Sequence, residues 1–257
     1  RGEMAPYSDV DLLFLAPYKL TPWAETVIES MLYVLWDLKL KVGHASRTVK
    51  DCLRLAREDF TIRTSLVERR YIAGDADLSE ELSQRLQDEL FSSTVPEFIE
   101  AKLAERGARH RKQGGQRYMV EPNVKEGKGG LRDLQSLYWI GQYIHGVHDA
   151  SELVRHGVFT QEEYDSFRAA HDFLWAVRCH VHLLSGRATD QLTFDLQVEV
   201  AAAMGYRDRS GRRAVEVFMQ DYFRHATEVG ELTRIFLTAQ EAAHLKTEPM
   251  LQRLLKR

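Results

Sequence analysis

The sequence predicts an α+β protein: a small mixed β-sheet domain, followed by a mostly helical, bundle-like domain. Three observations carry this. Strand-period alternation is confined to the first forty-odd residues, in Val10–Leu15 and Lys39–His44. A helical pattern lies between those two stretches, so the order strand, helix, strand makes a right-handed βαβ-type unit. From about Leu78 onward, apolar residues recur almost only at helical spacing. The composition shift places the domain boundary between 1–77 and 78–257.

The elements run in order along the chain. Pro6-Tyr7-Ser8-Asp9 reads as a turn running into the strand Val10–Leu15. That strand is apolar on both faces, with Val10, Leu12 and Phe14 on one and Leu13 and Leu15 on the other, so it is expected to be buried inside a sheet. Thr21 and Pro22 are the N-cap and first position of a helix ending near Asp37. Short helices are expected over 48–57 and 61–73, and longer ones over 79–91 and 95–113. After a non-helical stretch, 114–130, come helices over 131–145, 160–185, 193–204 and 214–244. Thr160-Gln161-Glu162-Glu163 is a capping-box pattern. The stripes Phe167, Ala170, Leu174, Val177, Val181, Leu184 and Phe218, Tyr222, Val229, Leu232, Phe236 read as core.

The 257 residues suffice for two domains with a real core. A net charge of −3 gives no global argument for nucleic acid. No apolar run approaches the ~20 residues of a membrane span. Two cysteines, Cys52 and Cys179, make no disulfide framework and suit a reducing compartment. Without a signal peptide, the expected location is cytoplasmic. The sequence opens inside a turn that leads straight to its first strand, as expected of a piece of a longer protein.

Asp9 and Asp11 are the strongest chemical candidates. Alternate residues of a strand share a face, which puts their Cα atoms roughly 6.5–7 Å apart. Two carboxylates at that spacing can share divalent cations. The same residues can also cap backbone N–H groups in a turn, and Asp-x-Asp alone leaves both readings open. Lys39, Lys41, His44 and Arg47 lie on or after the second strand, where one of them could reach a phosphate bound by such a metal site. The Gly-rich stretch 114–130, with Lys125 and Lys128, either presents N–H groups and charge to an anion or is a flexible connection. His171-Asp172, Cys179-His180 with His182, and Ser185-Gly186-Arg187 read as packing and capping before metal or catalytic sites.

Several stretches resemble one family. Arg1-Gly2-Glu3-Met4 through Ser8-Asp9-Val10-Asp11-Leu12-Leu13 resembles the signature of polymerase-β-like nucleotidyltransferases. Val42-Gly43-His44-Ala45-Ser46-Arg47-Thr48, Glu121–Gly127 with Gly129–Asp133, Leu183–Asp190 and Leu192–Asp195 narrow this. They resemble the bifunctional uridylyltransferase/uridylyl-removing enzymes of the PII signal protein in nitrogen regulation. The resemblance implies transfer of UMP from UTP to a PII tyrosine, with Asp9 and Asp11 holding Mg²⁺ or Mn²⁺. It implies Gly2 and Ser8 in the loop beside the nucleotide phosphates, and it makes Arg47 and Lys125 candidate nucleotide contacts. A third carboxylate is usual in the superfamily; Lys39–His44 has none, which leaves Asp59 or Asp37. The family's uridylyl-removing HD domain and glutamine-sensing ACT domains have no counterpart in these residues. A related adenylyl-transferring enzyme and a non-catalytic nucleotide-sensing module are the alternatives.

Overall fold

A computed structural model of the chain describes residues 3–115, 118–147, 149–209 and 211–247, with side chains as far as 240. It divides into two compact units, Arg1–Val95 and Pro96–Arg257. The composition shift put the boundary at 77/78; the structure puts it at 95/96, because the helix after the shift packs back on the first unit. Among the described residues no helix is long and apolar enough to cross a membrane.

In the first unit, β1 (Val10–Ala16) pairs in parallel with β2 (Val42–Thr48) through α1 (Pro22–Asp37). Thr21 caps α1 by accepting from the Ala24 N–H at 3.2 Å, with Pro22 at the first helical turn, as its sequence predicts. The second strand begins three residues later than its alternating pattern suggests. Lys39 takes a left-handed φ of 62° that closes α1, its N–H donating to Trp36 O, so the chain becomes extended only at Val42. β1 is half-buried rather than enclosed, since the described sheet has only two strands. Trp23, Tyr33 and Val34 of α1 are likewise exposed.

Thr48 ends β2 and caps α2 (Val49–Glu58) in a reciprocal capping box with Asp51. The chain continues through α3 (Phe60–Val67), α4 (Ala76–Leu86) and a π-helical turn, Gln87–Phe91. α3 stops six residues before the expected end at Ala73. α4 packs on α2 and draws Leu82 and Leu86 into a core with Cys52, Leu53 and Ala56.

The second unit is helical: α5 (Val95–Lys112), α6 (Leu131–His145), α7 (Glu152–Arg155), α8 (Gln161–Ser185), α9 (Phe194–Ala203) and α10 (Ala214–Thr247). The four-residue α7 lacks a periodic signal in the sequence. The predicted stripes form the core except at Leu184, which is exposed in the last turn of α8; α8 and α10 pack together through residues such as Leu174, Val177, Phe218 and Val229. The capping box at Thr160 forms, and Gly186 at φ 65° ends α8.

A buried carboxylate ties this unit's loop to its helices. Asp133, in the first turn of α6, is fully buried. It accepts from Arg109 Nη2, from Arg106 Nε at 3.3 Å, and from the Gly129 N–H at 2.9 Å. His110 Nε2 lies 3.0 Å from both its oxygens. Burial pushes its pKa up, but the His110 hydrogen bond and the charges of Arg106, His110 and Arg109 outweigh this and hold it at about 2. A folded pKa below the unfolded 3.8 stabilises the fold above that value, and the stabilisation, roughly 2 kcal/mol, is lost as pH falls toward 2. Urea unfolding of the second unit should therefore show a midpoint that falls below pH 4 in the native protein. Asp133→Asn should lower its stability by about 3–5 kcal/mol, because it leaves arginines unpaired inside the fold; a loss under 1 kcal/mol contradicts the role assigned to Asp133.

Candidate active site

The turn before β1 is closed by the Ser8 N–H donating to Ala5 O at 3.0 Å, and the Val10 N–H then joins β2 through Lys41 O at 2.8 Å. Strand register decides which side chains meet. Asp11 pairs with Gly43, Leu13 with Ala45 and Leu15 with Arg47, and partners in a parallel pair share a face. Asp11 therefore shares the face that carries Gly43 and Arg47, while Asp9 precedes the strand by one residue and lies outside its pairing. Both carboxylates are exposed, so the desolvation that a buried strand would impose on them is absent.

Gly43 is what makes the room. A Cβ built there would lie 2.8 Å from Asp11 Oδ1, nearer than side chains approach. The Asp11 carboxylate occupies the space a side chain at Gly43 would take. Sequence reasoning passed over this residue as a site component; a lone Gly inside an alternating strand is the signal that could have found it. Ser8 is half-buried in the turn, and Gly2 lies outside the described residues.

His44 belongs to the opposite face and packs edge-on against Phe14, with ring centroids 6.3 Å apart. Arg47 is half-buried at the end of β2. Asp59 is the N-cap of α3, its Oδ1 accepting from Thr61 N–H at 2.6 Å and Ile62 N–H at 3.1 Å. Those backbone bonds, with the nearby Arg47 charge, hold its pKa low. No group of three or more His, Cys, Asp or Glu among the described residues is arranged to hold a metal ion, so Asp59 is not gathered with Asp9 and Asp11. The same holds for His171-Asp172 and Cys179-His180 with His182: His171 lies between Phe167 and Trp175, and His182 sits 3.3 Å from Asp190. The pair Asp9 and Asp11 fits Mg²⁺ or Mn²⁺ in donor type, both offering hard, exposed carboxylate oxygens.

Lys125 belongs to the second unit. Its loop left two readings open, N–H groups offered to an anion or a flexible connection, and the structure uses most of the N–H groups from Val124 to Arg132 internally. Lys125 and Glu126 N–H groups go to Asn123 Oδ1, at 3.1 and 2.7 Å. The Gly127 N–H goes to Asn123 O, Gly130 to Gly127 O, Leu131 to Val124 O and Arg132 to Lys125 O. Gly129 has φ +81°, and a Cβ there would strike the Ala226 carbonyl of α10. The loop is a pinned plug, not a main-chain phosphate cradle.

Comparison with known proteins adds a second line. The family model described as GlnD PII-uridylyltransferase matches residues 97–237, which is over half of the chain and lies within the second unit. The bifunctional uridylyltransferase/uridylyl-removing enzyme of Ruegeria pomeroyi is 71% identical over all of this chain, which covers 28% of that protein. That of Cereibacter sphaeroides is 68% identical over the same span, again 28% of its length. That of Caulobacter vibrioides is 56% identical over 97% of this chain and 26% of its own. The chain thus spans little more than a quarter of the curated relatives it matches. Matched over half its length by the family model, the chain belongs to the GlnD PII-uridylyltransferase family.

Proposed function

We propose that this chain carries the transferring site of its family, moving UMP from UTP to a tyrosine hydroxyl of the PII protein. The observation that carries the reading is the exposed pair Asp9 and Asp11 at the start of β1, with the Asp11 carboxylate seated where a side chain at Gly43 would lie. The family match and the names of the relatives support the choice of uridylyl transfer.

In this reading the phenolic oxygen of the acceptor forms a bond to the α-phosphorus. The bond from that phosphorus to pyrophosphate breaks, and the phenolic proton is released. Asp9 and Asp11 would hold Mg²⁺ or Mn²⁺, which would supply charge neutralisation for the triphosphate and its leaving group. The chain's own contribution is positional: strand pairing fixes Asp11 against Gly43, whose missing side chain leaves room for that carboxylate, and Asp9 precedes the strand by one residue. Ser8, in the turn before β1, is a candidate phosphate contact, and Gly2 is a second candidate that the resemblance supplies. Arg47, on the same strand face, is a candidate phosphate contact, and Asp59 a candidate further ligand after movement. UTP and PII are the implied partners, the implied setting is the cytoplasm, and glutamine sensing is assigned to domains outside this chain.

The reading is tested with the full-length protein, PII, Mg²⁺ and either labelled UTP or labelled ATP. Label should reach PII from UTP alone. Transfer from ATP instead points to adenylylation, and nucleotide binding without transfer points to a sensing module; either result overturns the reading. Asp9→Asn with Asp11→Asn should lower transfer at least about 100-fold, the scale of losing several kcal/mol of metal-based stabilisation, with helical circular dichroism unchanged. Gly43→Ala should force the Asp11 carboxylate to turn. A displaced rotamer costs about 0.5–1.5 kcal/mol, so Mn²⁺ affinity read by electron paramagnetic resonance with UTP present should fall about 2–10-fold. Unchanged Mn²⁺ affinity removes Gly43 from the site.

A further inference from the structure

The second unit holds a cavity of about 50 Å³ that the transfer reading leaves unused. Residues far apart in sequence wall it, and the backbone fixes them. The Leu192 N–H donates to Pro122 O at 2.9 Å, Asn123 forms an antiparallel bridge with Gln191, and Gln191 Nε2 donates to Glu121 O. On the other side Gly129 lies against the Ala226 carbonyl, one helical turn beyond Tyr222 on α10. The neighbour of Gly129, Lys128, lines the cavity together with Tyr222.

Two polar side chains of this wall have nothing to bind. Tyr222 is 2% exposed, yet its hydroxyl has no hydrogen-bond partner among the described residues. Burial pushes its pKa well above the usual tyrosine value, so the hydroxyl keeps its proton and can donate. A buried hydroxyl without a partner costs free energy until something accepts from it. The Lys128 ammonium makes no ion pair and no hydrogen bond among the described residues. Asn123 Oδ1 is taken by the Lys125 and Glu126 N–H groups, which leaves its amide nitrogen as the open end. The acidic wall residue, Glu121, accepts from the Phe194 N–H at 2.9 Å, so its charge is already met at the start of α9.

The cavity thus offers one uncompensated cation and two neutral donors. A single cation matches a single negative charge. A phosphate dianion would bring a second charge with no partner into a partly desolvated place, whereas a carboxylate balances Lys128 and presents two acceptor oxygens. The volume has room for about three or four water-sized groups, which suits a carboxylate head. Met119 and Pro122 add an apolar wall for a short aliphatic stem. We propose that this cavity binds a short aliphatic carboxylate, with Lys128 as its counter-ion and the Tyr222 hydroxyl as its buried donor. The inference does not depend on the transfer reading. The pinned walls hold the donors in place before the ligand arrives, which lowers the ordering cost of binding.

The test is saturation-transfer NMR of the full-length protein with butyrate, N-acetylglutamate α-amide or n-butylamine, with inorganic phosphate as a competitor. Both carboxylates should receive saturation and n-butylamine should not. Tighter butyrate identifies a free acid as the source, and tighter blocked glutamate an acidic peptide side chain. Tyr222→Phe, which keeps the packed ring, and Lys128→Met should each weaken butyrate binding about tenfold or more, the scale of one hydrogen bond to a charged group. Butyrate should also shield Lys128 of the unaltered protein from acetylation, read by mass spectrometry, which keeps the test open if Lys128→Met misfolds. Unchanged binding by folded Tyr222→Phe or Lys128→Met, equal saturation of n-butylamine, easier displacement of butyrate by phosphate than by blocked glutamate, absence of shielding, or no binding of either carboxylate overturns the proposal.

Discussion

The pairing of Asp11 with Gly43 is the constraint on which the candidate site depends. A parallel two-strand pair fixes which residues face each other, and here it sets a carboxylate against the one residue type that offers no side chain. A slip of one residue would turn Asp11 to the opposite face of the sheet, the one on which β2 carries His44. The capping box at Thr48 helps to hold the register, since it starts α2 where β2 ends. The chemistry of the first unit therefore rests on backbone pairing more than on any side-chain network.

The second unit is built on the opposite logic. Its loop is held by side chains and carbonyls distant in sequence: Asp133 from α6, Asp190 beyond α8, and the main chain of Ala226 in α10. Asp133 is buried and ringed by Arg106, Arg109 and His110. Such a group stabilises the fold only because its partners are complete, and removing one leaves a buried charge behind. Rigidity here comes from the loop's N–H groups being used within the unit.

Much of this was readable in the sequence where the determinants are local. Thr21-Pro22 and Thr160-Gln161-Glu162-Glu163 name their helix starts, and both caps form. The apolar stripes of α8 and α10 name their buried faces. Misreadings arose where distant contacts decide. Lys39-Leu40-Lys41 alternates like a strand, yet Lys39 closes a helix in a left-handed conformation. The Gly-rich loop has a composition that suits an anion cradle or a flexible connection, yet Gly127, Gly129 and Gly130 each sit against a carbonyl of the same unit. Asp9 and Asp11 were visible as a pair from their spacing, whereas Gly43 became meaningful only once the register set it against Asp11.

The most direct measurement is ³¹P relaxation of UTP with Mn²⁺ in the presence of the full-length protein. A protein-bound paramagnetic ion beside the triphosphate should broaden the phosphate resonances strongly in wild type. Asp9→Asn with Asp11→Asn should abolish that protein-dependent broadening while the helices stay folded. Equal broadening in the variant would show that these carboxylates do not hold the ion that meets the nucleotide.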